Sequence, residues 1–354
     1  MSRKLRILNI IDIPWHSALA EYAVEQARAL RSLGHEVFSA APRGSEYWRF
    51  SLAENIGAVD IAGRRDFLFL PSAVKLARFA ERNSIEVLNA HTGRAQTLAY
   101  AARLLSRRNC TLVRTQAGAR LPRPSFTYAK VAGVIAASGV IERGFRPLGL
   151  APGAVSVVPP GIELRPYRPL PASPLVRIGL LGRLDPVKGH AHFIEAAARV
   201  LARNGNAEFL LAGQEVNVKF DDLRTQASRL GIAGRLRWLG RVKDPLEFIN
   251  SCHIGVIAST GSEAVSRALL EWMGQGRAVI GSDVGSVPEM LDRAHIVPPG
   301  VPALLADALL KLISGKEDMV RTGLDNRKTA AERYSREVFA EKTGEFFSRA
   351  GIAG

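Results

Sequence analysis

Two carboxylates and two cations in the second half of the chain have the types and spacing to hold a phosphorylated sugar. Glu263 and Glu271 bracket the start of a segment, 264–273, in which Val265, Ala268, Leu269 and Trp272 recur at helical spacing before Gly274 and Gly276 close it. Read as one helix, the residues from Glu263 to Glu271 rise ~12 Å and bring both carboxylates to broadly the same side. The first amides of that helix, around Val265, Ser266 and Arg267, are unsatisfied donors at a positive dipole end, which suits a phosphate. A plainer reading also fits these residues alone: Glu263 complements the helix dipole and Glu271 is an exposed helix residue.

The stretch 177–190 supplies the opposite charge. It begins as a short apolar strand, breaks at Gly182, and places Arg183 and Lys188 in the loop that leads to a helix predicted over 193–202. Cations at a strand's carboxyl end stand where open α/β sheets bind ligands, and there they can neutralise a departing diphosphate. As a lone loop, the same two cations would only aid solubility.

In combination these motifs resemble the retaining glycosyltransferases of the GT-B fold, the group 1 or family 4 set. The resemblance rests on Gly182-Arg183 with Lys188-Gly189, on Glu263-x7-Glu271, and on Gly281-Ser-Asp-Val-Gly-Ser-Val-Pro-Glu289. It is extended more weakly by Gly34-His35-Glu36-Val37, Asn89-Ala90-His91-Thr92-Gly93, Gly133-Val-Ile-Ala-Ala137 and Val157-Val-Pro-Pro-Gly161. It implies that Arg183 and Lys188 contact the donor diphosphate, that Glu263 holds the transferred sugar and that Glu271 binds the ribose. It also implies that His91, at the end of a strand, lies near a sugar hydroxyl or the acceptor, and that Arg241-Val242 seats the base.

Arg94 and Arg114 are weaker acceptor-side candidates. His16 and Ser17 join them because His16-Ser17-Ala18-Leu19 stands where many relatives carry paired glycines, so acceptor geometry does not carry over. Trp272-Met273-Gly274-Gln275 likewise replaces the usual small residues, and Trp272 is read as a packing residue.

The elements that must position these groups alternate strand and helix without a repeat. Strands are expected over 5–11, 37–41, 87–90, 111–115 and 134–137, then over 178–181, 209–212, 236–238, 254–257 and 279–281. A chain of 354 residues exceeds one ordinary core. We expect two Rossmann-like doubly wound parallel-sheet α/β domains facing a cleft: 1–165 for the acceptor, 166–334 for the nucleotide-sugar, and a final helix in 335–354 returning to the first. The proline-dense stretch 158–174 reads as the linker. Ser286 and Glu289 have capping-box spacing.

Cys110 and Cys252 form no metal spacing and read as reduced, buried thiols of a cytoplasmic protein. The apolar run after Met1 is short and is interrupted by Asp12, which reads as a first strand rather than a leader. No run is long enough for a membrane helix. No metal or cofactor is expected beyond a nucleoside-diphosphate sugar as donor substrate.

The net charge is +15, unevenly spread: residues 1–165 carry 23 Lys and Arg against 12 Asp and Glu, the remainder 25 against 21. Arg103, Arg107 and Arg108 end one helix, and Arg114, Arg120, Arg123 and Lys130 surround the next loop, giving an expected cationic face. It would suit an acidic glycolipid or an anionic membrane surface, at the inner face of the cytoplasmic membrane. Nucleic acid is not expected as a partner, since no recognised module or aromatic interleaving accompanies the charge. The expected activity is transfer of a sugar to a hydroxyl of an envelope glycan or glycolipid, for example lipopolysaccharide. Two rivals stay open: a nucleotide-sugar epimerase or hydrolase of the same architecture, and a non-catalytic membrane- or nucleic-acid-binding protein on a degenerate transferase fold.

Overall fold

The computed structural model describes residues 3–15, 17–63, 69–118, 120, 122–151 and 153–352. The chain divides into two compact units, 1–161 with 336–354, and 162–335. Each is a doubly wound, all-parallel sheet with alternating helices.

In the first unit, strands β1 (Arg6–Ile10), β2 (Glu36–Ala41), β3 (Ala58–Asp60), β4 (Val87–Ala90), β5 (Thr111–Gln116), β6 (Gly133–Ala136) and β7 (Val155–Val157) lie in the order β3-β2-β1-β4-β5-β6-β7. These short apolar runs are buried because helices cover both faces of a parallel sheet. The chain winds outward from β1 to β3, then returns to the other side of β1 as β4. That reversal leaves a crevice at the carboxyl ends of β1 and β4.

The last helix, Arg336–Ile352, belongs to this unit. Phe339 stacks edge-on against Tyr22, with ring centroids 5.2 Å apart, and Phe346 covers Gly133 of β6.

The second unit repeats the winding with β8 (Val176–Leu181), β9 (Ala207–Ala212), β10 (Leu236–Gly240), β11 (Ile254–Ile257), β12 (Ala278–Ser282) and β13 (Ile296–Val297), in the order β10-β9-β8-β11-β12-β13. Its crevice lies between the ends of β8 and β11. Trp272 is fully buried beneath this sheet. It fits because Gly255 and Gly179 carry no Cβ: one at Gly255 would stand 2.4 Å from the indole, and one at Gly179 would stand 2.8 Å away. The bulky residue is therefore a packing element, matched to two glycines in neighbouring strands.

The proline-dense stretch expected as a linker is largely part of the second unit. The boundary falls between Gly161 and Ile162, not at 165/166, and the return falls at Ser335/Arg336, not at 334/335. Prolines leave few amide donors, but their carbonyls still accept. The buried Arg277 donates to the carbonyls of Arg168 (2.9 Å) and Pro169 (3.3 Å), and Arg327 donates to that of Arg165 (2.8 Å). Ile162 pairs with Ser335 in an isolated parallel bridge. Arginine donors thus hold a segment that cannot join the sheet.

Candidate active site

The loop after β8 is fixed to the ends of its neighbouring strands. Gly182 donates its amide to Ala212 (2.9 Å) and Leu184 to Gln214 (2.7 Å), which ties the loop to the end of β9. Asp185 caps the one-turn 3-10 helix Pro186–Lys188, accepting from the Val187 amide at 3.2 Å, and Thr260 donates to the Val187 carbonyl at 2.8 Å. Gly189 takes φ +70°, and a Cβ there would lie 1.9 Å from the Ala258 carbonyl oxygen. Only glycine permits this approach.

Together these contacts deliver Lys188 to Glu263. The ammonium pairs with the Glu263 carboxylate, and the Ser259 hydroxyl donates to the same oxygen at 2.7 Å. Glu263 is buried, at 3% exposed. Its backbone is clamped as well: the Ser286 amide and hydroxyl both donate to the Glu263 carbonyl, at 2.7 and 3.0 Å. Gly285, at φ +59°, presses so close that a Cβ would lie 2.2 Å from that carbonyl oxygen. Ser262, just before, holds φ +61°, a strained value for a residue with a side chain. Segments from the ends of β8 and β11 therefore hold the Glu263 carboxylate, and one from the end of β12 holds its backbone.

Two local expectations are corrected here. The helix does not begin after Ala264: it spans Arg267–Gly274, and Glu263 lies in the irregular segment before it. The two glutamates are thus not residues of one helix, and the helix start lies at Arg267, with Val265 in a bend ahead of it. The cause is tertiary, since Ser286 and Gly285 capture the backbone at Glu263 and leave it no helical partner. For the same reason Ser286 caps nothing. Its hydroxyl is used on Glu263, and the helix that follows is the short Val287–Met290.

Ser266 precedes the Arg267–Gly274 helix with a buried hydroxyl that has no hydrogen-bond partner. A buried hydroxyl without a partner at the start of a helix is a group whose chemistry suits an anion. Glu271, four residues into that helix, pairs with Arg267 at 3.3 Å. Arg183 is exposed and stands 3.7 Å from Asp185. Arg241 is exposed just beyond the end of β10, and Val242 packs into the core beneath it.

In the first unit, the crevice ends of β1, β4 and β5 hold a buried polar cluster. Asp12 accepts from the Thr92 hydroxyl at 2.5 Å, and Thr92 in turn caps the Gly93–Leu105 helix through the Ala95 amide. His91 is fully buried, and burial together with the charge of Arg114 pushes its pKa down to about 3. Its Nε2 faces the Asn89 amide nitrogen at 3.1 Å, while its Nδ1 has no partner. Arg114 donates to the Ala90 carbonyl at 3.1 Å and to Gln116. Burial lowers its pKa to about 10, so it stays charged near neutral pH.

Arg114 is 3% exposed and therefore not part of a cationic face. As the fourth residue of β5, with its neighbours Val113 and Thr115 buried, it lies within the sheet. Arg94 donates to the Gly63 carbonyl at 2.7 Å. Ser17 caps the Ala18–Ser32 helix, accepting from Ala20 at 3.3 Å, and His16 lies outside the described residues.

Asp12, Ser259 and the backbone clamp at Ser286 join the candidate residues only in the folded chain. A sequence signal exists for Asp12, a charged residue directly after an apolar strand, but the same signal serves equally to interrupt a leader. Among the described residues, no group of three or more His, Cys, Asp or Glu side chains is placed to hold a metal ion, and no helix is long and apolar enough to cross a membrane.

Comparisons with known proteins identify the family and the fold. Residues 176–315 match the family model described as glycosyl transferases group 1, and residues 19–165 match glycosyltransferase family 4. A phosphatidyl-myo-inositol mannosyltransferase of Mycobacterium tuberculosis is 33% identical over 175 residues, 46% of this chain and 44% of that protein. The chain spans about half the length of the curated relatives it matches. Among solved structures, a glycosyltransferase of Rickettsia africae superimposes with a TM-score of 0.85 at 16% identity, covering 98% of each chain. Anabaena Alr3699/HepE in complex with UDP gives 0.82 at 18% identity, covering 98% of this chain and 100% of that one. At these identities the structural likeness establishes the fold.

Proposed function

Because the chain belongs to the group 1 and family 4 glycosyltransferases, we propose that it moves a sugar from a nucleoside-diphosphate donor to a hydroxyl of a glycan or glycolipid, with the anomeric configuration retained. The observation that carries this reading is the buried Glu263 carboxylate, held by Lys188 and Ser259 beside a helix start whose Ser266 hydroxyl has no partner. A carboxylate fixed in this way accepts from sugar hydroxyls. Lys188, Arg183 and the amides from Arg267 onward meet the charge that develops on the departing diphosphate, the large electrostatic contribution in such reactions, and no metal is required. Glu271 takes the ribose, and Arg241 with Val242 borders the base. The leaving phosphate accepts the proton of the attacking hydroxyl on the same face.

On the acceptor side, His91 is proposed to meet a sugar hydroxyl through its unpartnered nitrogen, with Arg94, Arg114 and Ser17 as the further described candidates. The M. tuberculosis relative is named for a lipid acceptor, which supports a glycolipid here, with an envelope glycan such as lipopolysaccharide as the wider class, and with contact between this chain and an anionic membrane.

The test is nucleotide release from uridine, guanosine and adenosine diphosphate sugars, with and without a lipid extract, followed by anomeric analysis of the product. Release only with acceptor, and loss of it in Lys188→Ala, is expected. Equal release without acceptor would favour a hydrolase or epimerase instead. An inverted product would overturn retention.

A further inference from the structure

We propose that Trp15 is the platform on which the acceptor stacks, and that the end of the acceptor lying there is an uncharged pyranose ring. The choice of an acceptor as the ligand rests on the transfer reading above; the platform itself rests on the placement of the indole.

The chain has four tryptophans, and the other three have ring or cation partners. Trp272 meets Phe248 edge-on with centroids 5.9 Å apart, Trp238 meets Phe220 in the same way and also lies beneath Arg224, and Trp48 lies beneath Arg43. None of these three is exposed. Trp15 is 45% exposed, and among the described residues it has no ring, cation or hydrogen-bond partner. Its π-face is left in water, where an indole forgoes the burial that the others obtain.

The loop that carries Trp15 is fixed at both ends. Ile11 prolongs β1 by donating its amide to Ala40 at 2.9 Å, Asp12 accepts from Thr92 at 2.5 Å, and Ile13 is buried. Pro14 then fixes its own φ. Beyond the indole, Ser17 caps the Ala18–Ser32 helix, and its carbonyl accepts from the Glu21 amide at 3.0 Å. The short span between Asp12 and Ser17 leaves little to order when a ligand arrives.

This loop stands at the crevice. The winding of the first sheet reverses between β1 and β4, and ligands of open α/β sheets bind beyond the carboxyl ends of such strands. Trp15 follows β1 at that end, just past the Asp12 carboxylate. The loop beyond β5 borders the same rim: a Cβ added to Gly118 would lie 3.6 Å from Leu19 of the Ala18–Ser32 helix, and the Gln116 side chain donates to the Gly118 and Arg120 carbonyls at 3.1 and 2.8 Å.

An exposed indole beside polar groups selects a ligand with an apolar face and a polar rim. A pyranose has both: its axial C–H bonds present positive charge to the negative face of the ring, and its hydroxyls remain free for polar partners. An acyl chain needs a continuous apolar surface, whereas the exposed neighbours of this indole are Pro14 and Ala18 and the next described side chain is the Ser17 hydroxyl. A phosphate gains nothing from an uncharged ring.

The test is intrinsic fluorescence of the full chain, titrated without donor with methyl and octyl glycosides of glucose, galactose, mannose and N-acetylglucosamine in both anomers. The difference between the parent and Trp15→Phe reports this indole. Saturable quenching of that difference by at least one methyl glycoside is expected, with the octyl glycoside of the same sugar acting at a similar concentration. With the lipid extract as acceptor, Trp15→Ala should raise the amount needed for half-maximal nucleotide release about tenfold at an unchanged maximal rate, while Trp15→Phe stays within about twofold of the parent. Both variants should keep the parent unfolding temperature and the donor-induced thermal shift, which a role in folding or donor binding would move. Quenching without any transfer would sink the transfer reading alone and leave a sugar-binding platform. Quenching by no glycoside, by octyl but not methyl glycosides, or more strongly by uridine monophosphate than by any glycoside overturns the proposal. So does a Trp15→Ala protein that matches Trp15→Phe.

Discussion

Lys188 and Glu263 follow different strands of the second sheet, β8 and β11, yet the ammonium of one is paired with the buried carboxylate of the other at the crevice where the winding reverses. The lysine reaches it only because Gly189 lies against the Ala258 carbonyl, and the glutamate is held there by Ser259, Gly285 and Ser286.

This pair gives a double-mutant test. Lys188→Ala strands a buried carboxylate and should cost about 3 kcal/mol of stability. Glu263→Gln alone should cost less, because an amide still accepts from Ser259. The double variant should regain stability without regaining transfer. Chemical denaturation and initial-rate kinetics on the four proteins check this, and independent, additive effects would refute the coupling.

Ser266→Ala separates a ligand role from a structural one. The hydroxyl is buried without a partner, so its removal should leave the unfolding temperature of the free protein unchanged or raised. The stabilisation conferred by a nucleoside-diphosphate donor should fall, read as a smaller thermal shift. Lower stability with an unchanged donor shift would show that the hydroxyl serves only the fold.

Gly285→Ala should fail through the backbone. Its positive φ and the 2.2 Å approach to the Glu263 carbonyl oxygen leave no room for a methyl group. A loss of about 2 kcal/mol or more is expected, together with weaker donor binding, because Glu263 must shift. Unfolding curves with and without donor decide it.

The pH dependence of stability should carry the mark of His91. Its pKa is near 6.5 unfolded and about 3 folded, so between those values the unfolded chain binds the proton and the native state does not. The contribution is complete above about pH 6.5 and is lost progressively as pH falls towards 3, each tenfold difference in proton affinity between the two states corresponding to about 1.4 kcal/mol. His190, lowered to about 4 by burial, adds to the same window. His91→Gln should flatten the acid limb of a stability-against-pH curve; an unchanged limb would contradict the burial of this imidazole.

Local pattern carries much of the fold. Apolar runs of strand length between helical periods give the alternation and the parallel sheets, and the ends of β4 and β11 fall where local residues alone put them, since short buried strands are bounded by the residues that break them. The segment before Arg267 reads as helix because a helical period continues through Val265, while the partner that prevents helix there, Gly285 with Ser286, is remote in sequence. Arg114 misleads for a related reason. A cation inside a strand looks like surface until the strand is known to be central, with Ala90 and Gln116 to receive it.

The sequence by itself determined the residue types at the crevice, the two-unit organisation and the family, because glycines at fixed steps from cations and carboxylates are local facts of the chain. Tertiary structure alone decided that Lys188 meets Glu263, that Asp12 and His91 are buried together in one polar cluster, and that Trp15 stands exposed at the crevice of the first unit. Each of these depends on strands brought side by side from distant positions, and pair distance across a sheet is set by winding order and close backbone packing, which no local spacing encodes.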